Sequence, residues 1–282
     1  MSQGSKLFQL RSERPRPMTK IVLCMKWGTK YGPEYVNRLN SMISRNISGE
    51  HELICMTDDP TGIDSAIVTT ALPDLGCATP TNTRGKWLKV GIWGLESIAG
   101  RTGPALFLDL DSIIVDNIDC YFNIGKPDDI ILERNWARPL SRLGQTSVFR
   151  FQIGNHVEIL KTFQNRPQAI ADRYQYEQHY ITSAVQSSMM FWPQGWTRHF
   201  RLHCLGPMPI RLFRPANIPR DVKIITFPGG PNPAEARLGK WTISSPEYQG
   251  RRAHFKHTLK TGNWKNFRRF IMPVDWIEEY WH

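Results

Sequence analysis

Residues 105–116, Ala-Leu-Phe-Leu-Asp-Leu-Asp-Ser-Ile-Ile-Val-Asp, constrain the fold more than any other stretch of the chain. The apolar runs on either side of the carboxylates read as a strand buried on both faces, the kind found in parallel sheets covered by helices. Asp109 and Asp111 interrupt it at a spacing of two, and in an extended chain that spacing sends both side chains to the same face. Two anions held so close repel unless a cation lies between them. Mg²⁺ and Mn²⁺ take hard oxygen ligands and share them with substrate phosphates, so the pattern predicts one divalent metal carrying a diphosphate. The structural alternative is a strand ending in a turn, with the Asp side chains capping backbone N–H groups. The apolar flanks at 106–108 and 113–115 weigh against it, because they place both carboxylates close to burial.

The remainder of the chain supplies a frame for such a strand. Residues 21–25 form an apolar strand that turns through Trp27-Gly28-Thr29-Lys30-Tyr31. Tyr35, Val36, Leu39, Met42 and Ile43 then recur at three- and four-residue steps, an amphipathic helix with Pro33 in its first turn. Further strands are predicted over 51–56, 66–69, 130–133, 146–151 and 222–227, and helices over 86–93, 157–163 and 176–185. This alternation predicts an α/β fold with a mostly parallel central sheet, flanking helices and function at the carboxyl ends of the strands. Trp27, Asp58, Asp59, Asp109 and Asp111 all fall at such ends. The 282 residues are read as one domain over 20–240. A flexible basic extension over 1–19 precedes it, and a basic, aromatic extension over 241–282 packs on it.

Charge is distributed unevenly. Residues 1–20 carry +4, residues 21–196 carry −2 and residues 197–282 carry +9, which together make the formal net charge of +11. A basic end beside an acidic middle suits a polyanionic partner, whether nucleotide phosphates, an anionic lipid surface or nucleic acid. In the tail, His254-Phe255-Lys256-His257 and residues 263–270 interleave cations with aromatics. That pattern serves single-stranded nucleic acid, an anionic membrane surface or an acidic acceptor. Trp276, Ile277, Tyr280 and Trp281 share one helical face suited to docking on the core. The five cysteines include no C-x-x-C spacing, so free thiols in a reducing, cytoplasmic compartment are expected.

Five pieces in this order resemble metal-dependent nucleotide-sugar glycosyltransferases of the GT-A fold, in the flavour of bacterial relatives of the glycogenin-type retaining enzymes. They are Lys26-Trp27-Gly28-Thr29, Thr57-Asp58-Asp59, Lys86-Trp87-Leu88-Lys89, Leu108-Asp109-Leu110-Asp111 and the loop 227–233. The resemblance implies a Rossmann-like GT-A fold and transfer of a sugar, with retention, from a nucleoside-diphosphate sugar, a UDP-sugar in the first place. The acceptor it implies is a saccharide or lipid-linked saccharide, and the cofactor is Mn²⁺ or Mg²⁺ on Asp109 and Asp111. Lys26, Trp27 and Asp58 would border the nucleoside, and Lys86 and Lys89 the diphosphate or donor sugar. Gly229 and Gly230 would let the backbone approach the phosphates, and Glu177-Gln178 would stand beside donor sugar and acceptor. One departure stands out: Pro228 occupies the place where the family pattern has a metal-binding His.

Each residue also admits a plainer role. Trp27 can be packing, Asp58 turn chemistry, one of the two lysines a solvated face, and Glu177 a carboxylate at a helix start. Two rival functions remain on the sequence. A haloacid-dehalogenase-type phosphohydrolase also carries Asp-x-Asp, but Ile113 and the late position of the motif depart from its pattern. A non-catalytic nucleic-acid- or membrane-binding module on a degenerate fold would account for Pro228 and the basic tail. Of the partners, a peripheral contact with the inner face of an anionic membrane is expected over nucleic acid.

Overall fold

The structure, a computed structural model, describes residues 19–138, 140–245 and 248–282; the N-terminal extension through residue 18 lies outside the described residues. Among the described residues ten strands are present: β1 (Lys20–Lys26), β2 (His51–Thr57), β3 (Val68–Thr70), β4 (Gly103–Leu108), β5 (Ser112–Ile114), β6 (Ile130–Arg134), β7 (Gly144–Ile153), β8 (Met189–Phe191), β9 (Thr197–His199) and β10 (Ile224–Thr226). The α-helices are α1 (Pro33–Asn46), α2 (Cys120–Asn123), α3 (Val157–Asn165), α4 (Pro167–Tyr174), α5 (Glu177–Val185), α6 (Pro233–Arg237), α7 (Arg251–Thr261) and α8 (Trp276–Tyr280).

Alternation along β1 divides its side chains between two cores. Val22 and Cys24 enter one with α1, β5 and β10. Ile21, Leu23 and Met25 enter the other with α3 and the 3₁₀ segment Trp87–Gly94. Burial on both faces is why the strand reads as an unbroken apolar run, each fully buried large side chain contributing roughly 1.5–3 kcal/mol. The central sheet has seven strands in the order β3-β2-β1-β4-β7-β6-β8. β1, β2, β3 and β4 are mutually parallel, β8 is parallel to β6, and β7 alone runs antiparallel to its neighbours. The mixed, mostly parallel α/β architecture expected from the sequence is therefore present.

Two expectations are corrected. Residues 105–116 are not one strand: β4 ends at Leu108, and the chain turns through Asp109-Leu110-Asp111 into β5, which belongs to a separate sheet of order β5-β10-β9. The apolar run is continuous because both strands are buried, in different sheets. The helix expected over 86–93 is 3₁₀, with Lys86 at its N-cap position rather than inside it. At the C-terminus Ile277 and Trp281 are buried in the same core as α1. The Trp281 ring lies 5.0 Å from that of Tyr35, and the Arg38 guanidinium stacks 4.0 Å from its centroid.

Candidate active site

The turn between β4 and β5 is tied to both sheets. The Asp109 N–H donates to the Ser147 carbonyl at 2.9 Å, and the Asp111 carbonyl accepts from the Phe227 N–H at 3.0 Å. The Ser112 N–H closes the turn on the Asp109 carbonyl at 3.1 Å. The two carboxylates thus stand at the carboxyl end of β4, beside the ends of β1 and β2 and against the loop that leaves β10.

Their environments differ. Asp111 is buried, and desolvation together with the charge of Asp109 pushes its carboxyl up to about 6. The Tyr31 hydroxyl opposes this by donating to Asp111 Oδ2 at 2.7 Å, and Lys30 and Lys89 oppose it by their charge. Burial and that same carboxylate hold the Tyr31 phenol well above its ordinary range. Asp109 is 35% exposed and ion-paired through Oδ1 to Lys89 Nζ at 2.7 Å. Lys89 is buried, donates also to the Thr146 carbonyl, and lies 4.2 Å from the Phe107 ring centroid.

Glu177 joins this group through Thr146. Its Oε2 accepts from the Lys86 N–H at 3.0 Å and its Oε1 from the Thr146 hydroxyl at 3.3 Å. The first residue of α5 therefore fixes the start of the 3₁₀ segment that carries Lys89. Gln178 is half-buried beside it and the Lys86 side chain is exposed. At the neighbouring strand ends, Lys26 is buried with Nζ on the Asp59 carbonyl at 3.1 Å, and Trp27 is half-buried against the core. Asp58 is exposed and accepts the Gly28 N–H at 2.9 Å. Lys26 and Asp58 thus hold the loops after β1 and β2 together, whereas Lys89, Asp109, Asp111 and Glu177 are brought into one connected network.

Beyond β10, Gly229 and Gly230 both sit at positive φ, +74° and +75°, which an L side chain adopts only under strain. Their loop is joined to Asp111 through the preceding Phe227 N–H. Trp241 closes over it, its carbonyl 3.7 Å from where a Gly230 Cβ would stand. A cavity of about 290 Å³ is lined by Trp241 together with Tyr248, His254, His257 and Arg269.

A divalent cation fits the Asp pair in chemistry but not as a closed site. Two carboxylates, one buried with its proton affinity raised by its neighbour, are relieved by a hard cation. Among the described residues no group of three or more His, Cys, Asp or Glu gathers to hold a metal. The protein would supply two carboxylates and the substrate and water the remaining oxygens. Tyr31, Lys30 and Thr146 take part in this network without having been anticipated. Tyr31 falls in a loop with no periodicity to place it, and Thr146 links Glu177 to Lys89 through its hydroxyl and its backbone carbonyl, the second of which residue type does not predict.

No family model and no curated protein sequence matches the chain. Solved structures do. One is of the galactosyltransferase LgtC in complex with donor and acceptor sugar analogues: TM-score 0.54, 11% identity, 86% of this chain and 95% of that one covered. Another is of the bifunctional glycosyltransferase WbbM without ligand: TM-score 0.53, 9% identity, 83% of this chain but 51% of that one. At such identities the likeness speaks for architecture: this chain has the GT-A-like fold of glycosyltransferases, with the Asp109–Asp111 turn at the carboxyl edge of its central sheet.

Proposed function

We propose that this chain is a metal-dependent glycosyltransferase that moves a sugar, with retention, from a nucleoside-diphosphate sugar, UDP-sugar in the first place, to a saccharide or lipid-linked saccharide. The observation that carries the reading is the Asp109–Asp111 turn, a buried and a half-buried carboxylate backed by Lys89 at the carboxyl edge of the sheet. The complex of LgtC with donor and acceptor sugar analogues supports the two-substrate form of the proposal.

In this reading Asp109 and Asp111 hold Mn²⁺ or Mg²⁺, which when bound supplies positive charge to the departing diphosphate. Lys89 keeps Asp109 in position, and Lys86, exposed at the head of the same segment, reaches toward donor phosphate or sugar. Trp27 and Asp58 border the nucleoside at the ends of β1 and β2, with Lys26 holding that edge from within. Gly229 and Gly230 present backbone to the diphosphate. Glu177 fixes the floor of the site through Lys86 and Thr146, and Gln178 beside it faces donor sugar and acceptor. Holding the acceptor hydroxyl against the anomeric carbon is the larger part of the catalysis such a site can offer. With retention the leaving phosphate oxygen takes the hydroxyl proton.

The catalytic part spans residues 20–240, and residues 241–282 complete it from the acceptor side. In that part Phe255, Leu259 and Trp264 are exposed beside Arg and Lys, which supports a peripheral contact with an anionic membrane from the cytoplasmic side. No helix among the described residues is long and apolar enough to cross a membrane.

Isothermal titration of UDP and GDP, with Mn²⁺ and with EDTA, on the wild type and on Asp109→Ala/Asp111→Ala tests the proposal. Metal-dependent binding of one nucleotide, lost in the double variant, is the expected result. A folded wild type that binds neither nucleotide overturns it.

A further inference from the structure

Among the described residues no carboxylate pairs with Arg201, whose guanidinium is placed against the glycine loop. It is the second residue of a π turn, Phe200–Cys204, that directly follows β9. The turn is held by side chains: His199 Nδ1 accepts the Arg201 N–H at 3.2 Å, and His203 Nδ1 accepts the His199 N–H at 2.9 Å. Register carries this turn to the end of the second sheet nearest Asp111. His199 pairs with Thr226 of β10, and Thr226 pairs with Ser112, the residue after Asp111.

From there the guanidinium reaches the loop. Arg201 Nη2 donates to the Pro228 carbonyl at 3.3 Å and lies 3.4 Å from where a Gly229 Cβ would stand. Its guanidinium carbon is 5.9 Å from the Trp241 ring centroid. The side chain is half-buried, its Nε is buried with no hydrogen-bond partner, and among the described residues no carboxylate forms an ion pair with it. The nearest acid of the loop, Glu235, is engaged in the cap of α6, accepting the Asn232 N–H at 2.8 Å. A desolvated guanidinium with donors to spare is costly to keep unless an anion meets it in the working state. The two buried lysines of the site are already engaged, Lys26 on the Asp59 carbonyl and Lys89 on the Asp109 carboxylate.

We infer that Arg201 binds the diphosphate of the donor, its fork of N–H groups meeting phosphate oxygens laid on the Gly229–Gly230 backbone. The assignment rests on the donor reading above and adds to it a residue with no place among the Asp-x-Asp, Lys and Glu-Gln pieces. Because the guanidinium is held in place, it meets charge that grows on the phosphate as the sugar–oxygen bond breaks.

The test compares UDP with uridine, in Mn²⁺, on the wild type, Arg201→Gln and Arg201→Lys. Removing one charge-assisted contact is expected to weaken UDP about tenfold or more while uridine binding changes less than twofold. Arg201→Lys is expected to recover part of the loss and to keep the wild-type fall of affinity with salt, whereas Arg201→Gln shows a shallower one. Wild-type binding that Arg201→Gln leaves intact overturns the Arg201 assignment alone. Equal weakening of UDP and uridine also overturns it, because that is collapse of the loop. A wild type that binds neither UDP nor GDP overturns the donor reading, and this assignment with it. Should both variants fail to fold, phenylglyoxal labelling of the wild type, read by peptide mass, decides: UDP must protect Arg201 and uridine must not.

Discussion

Substituting Glu133 with Gln should make the protein more stable at neutral pH. Glu133 lies on β6 and is 7% exposed, opposite Gln145 of β7 at an irregularity in the pairing. Its Oε2 and the Gln145 Oε1 are both buried without a partner. A buried carboxylate oxygen with no donor favours the protonated, neutral form of Glu133. Burial, which outweighs the nearby Thr197 hydroxyl and Arg198, pushes its carboxyl from 4.5 up to about 8. The native state therefore binds more protons than the unfolded state between those values, and stability falls as pH rises through that window. At pH 7 the native side chain is still mostly neutral while the unfolded one is ionised. The gap from 4.5 to 7, at 1.36 kcal/mol per pH unit, puts the cost at about 3 kcal/mol. A Gln keeps the shape and removes the ionisation. Urea unfolding of both proteins at pH 4.5, 6 and 7.5 should show Glu133→Gln more stable by about 3 kcal/mol near neutrality and equal to the wild type at the acid end. A difference that is the same at all three pH values, or of opposite sign at pH 7.5, refutes the reasoning.

Three more outcomes follow from single contacts. Lys89→Met removes the partner of Asp109; with Asp109 35% exposed, the loss without metal should be about 1–2 kcal/mol by urea unfolding, and added Mn²⁺ should restore part of it. Trp281→Ala opens the seam between α8 and α1 and should cost about 3–5 kcal/mol by the same measurement; a loss under about 1 kcal/mol would mean that the C-terminal helix is not seated as described. Gly229→Ala forces a Cβ onto a backbone at φ +74° and brings it to 3.4 Å from Arg201. Titration calorimetry should show UDP affinity falling while uridine affinity holds, and equal affinities for UDP in both proteins would remove the glycine from the site.

The parts of the fold legible in the sequence are those whose burial is two-sided or strictly periodic. β1 and β2 are largely apolar on both faces and β7 carries Val148, Phe149 and Phe151, so all three were readable as strands, and α1 was readable because Tyr35, Val36, Leu39, Met42 and Ile43 line one side. The break between β4 and β5 was not readable. Hydrophobicity reports burial, and it is silent on which sheet buries a residue, so a chain that crosses between sheets at Asp109-Leu110-Asp111 looks like one that runs straight on. The three-residue strand β9 is likewise defined by a partner remote in the chain, whereas β10 falls inside the strand predicted over 222–227.

The same division holds at the site. From its order of residues alone the chain determined an α/β sheet, two carboxylates two apart at the end of an apolar strand, glycines where backbone must take positive φ, and a basic tail, because composition and spacing record burial, charge and backbone freedom. Only the tertiary structure decided that Asp111 is buried under Tyr31 while Asp109 is neutralised by Lys89, that Glu177 braces the segment carrying Lys89, and that Arg201 arrives at the glycine loop from β9, the strand beside β10. Distances between residues 20 to 91 positions apart are set by how sheets and loops close on one another, and local sequence holds no record of them.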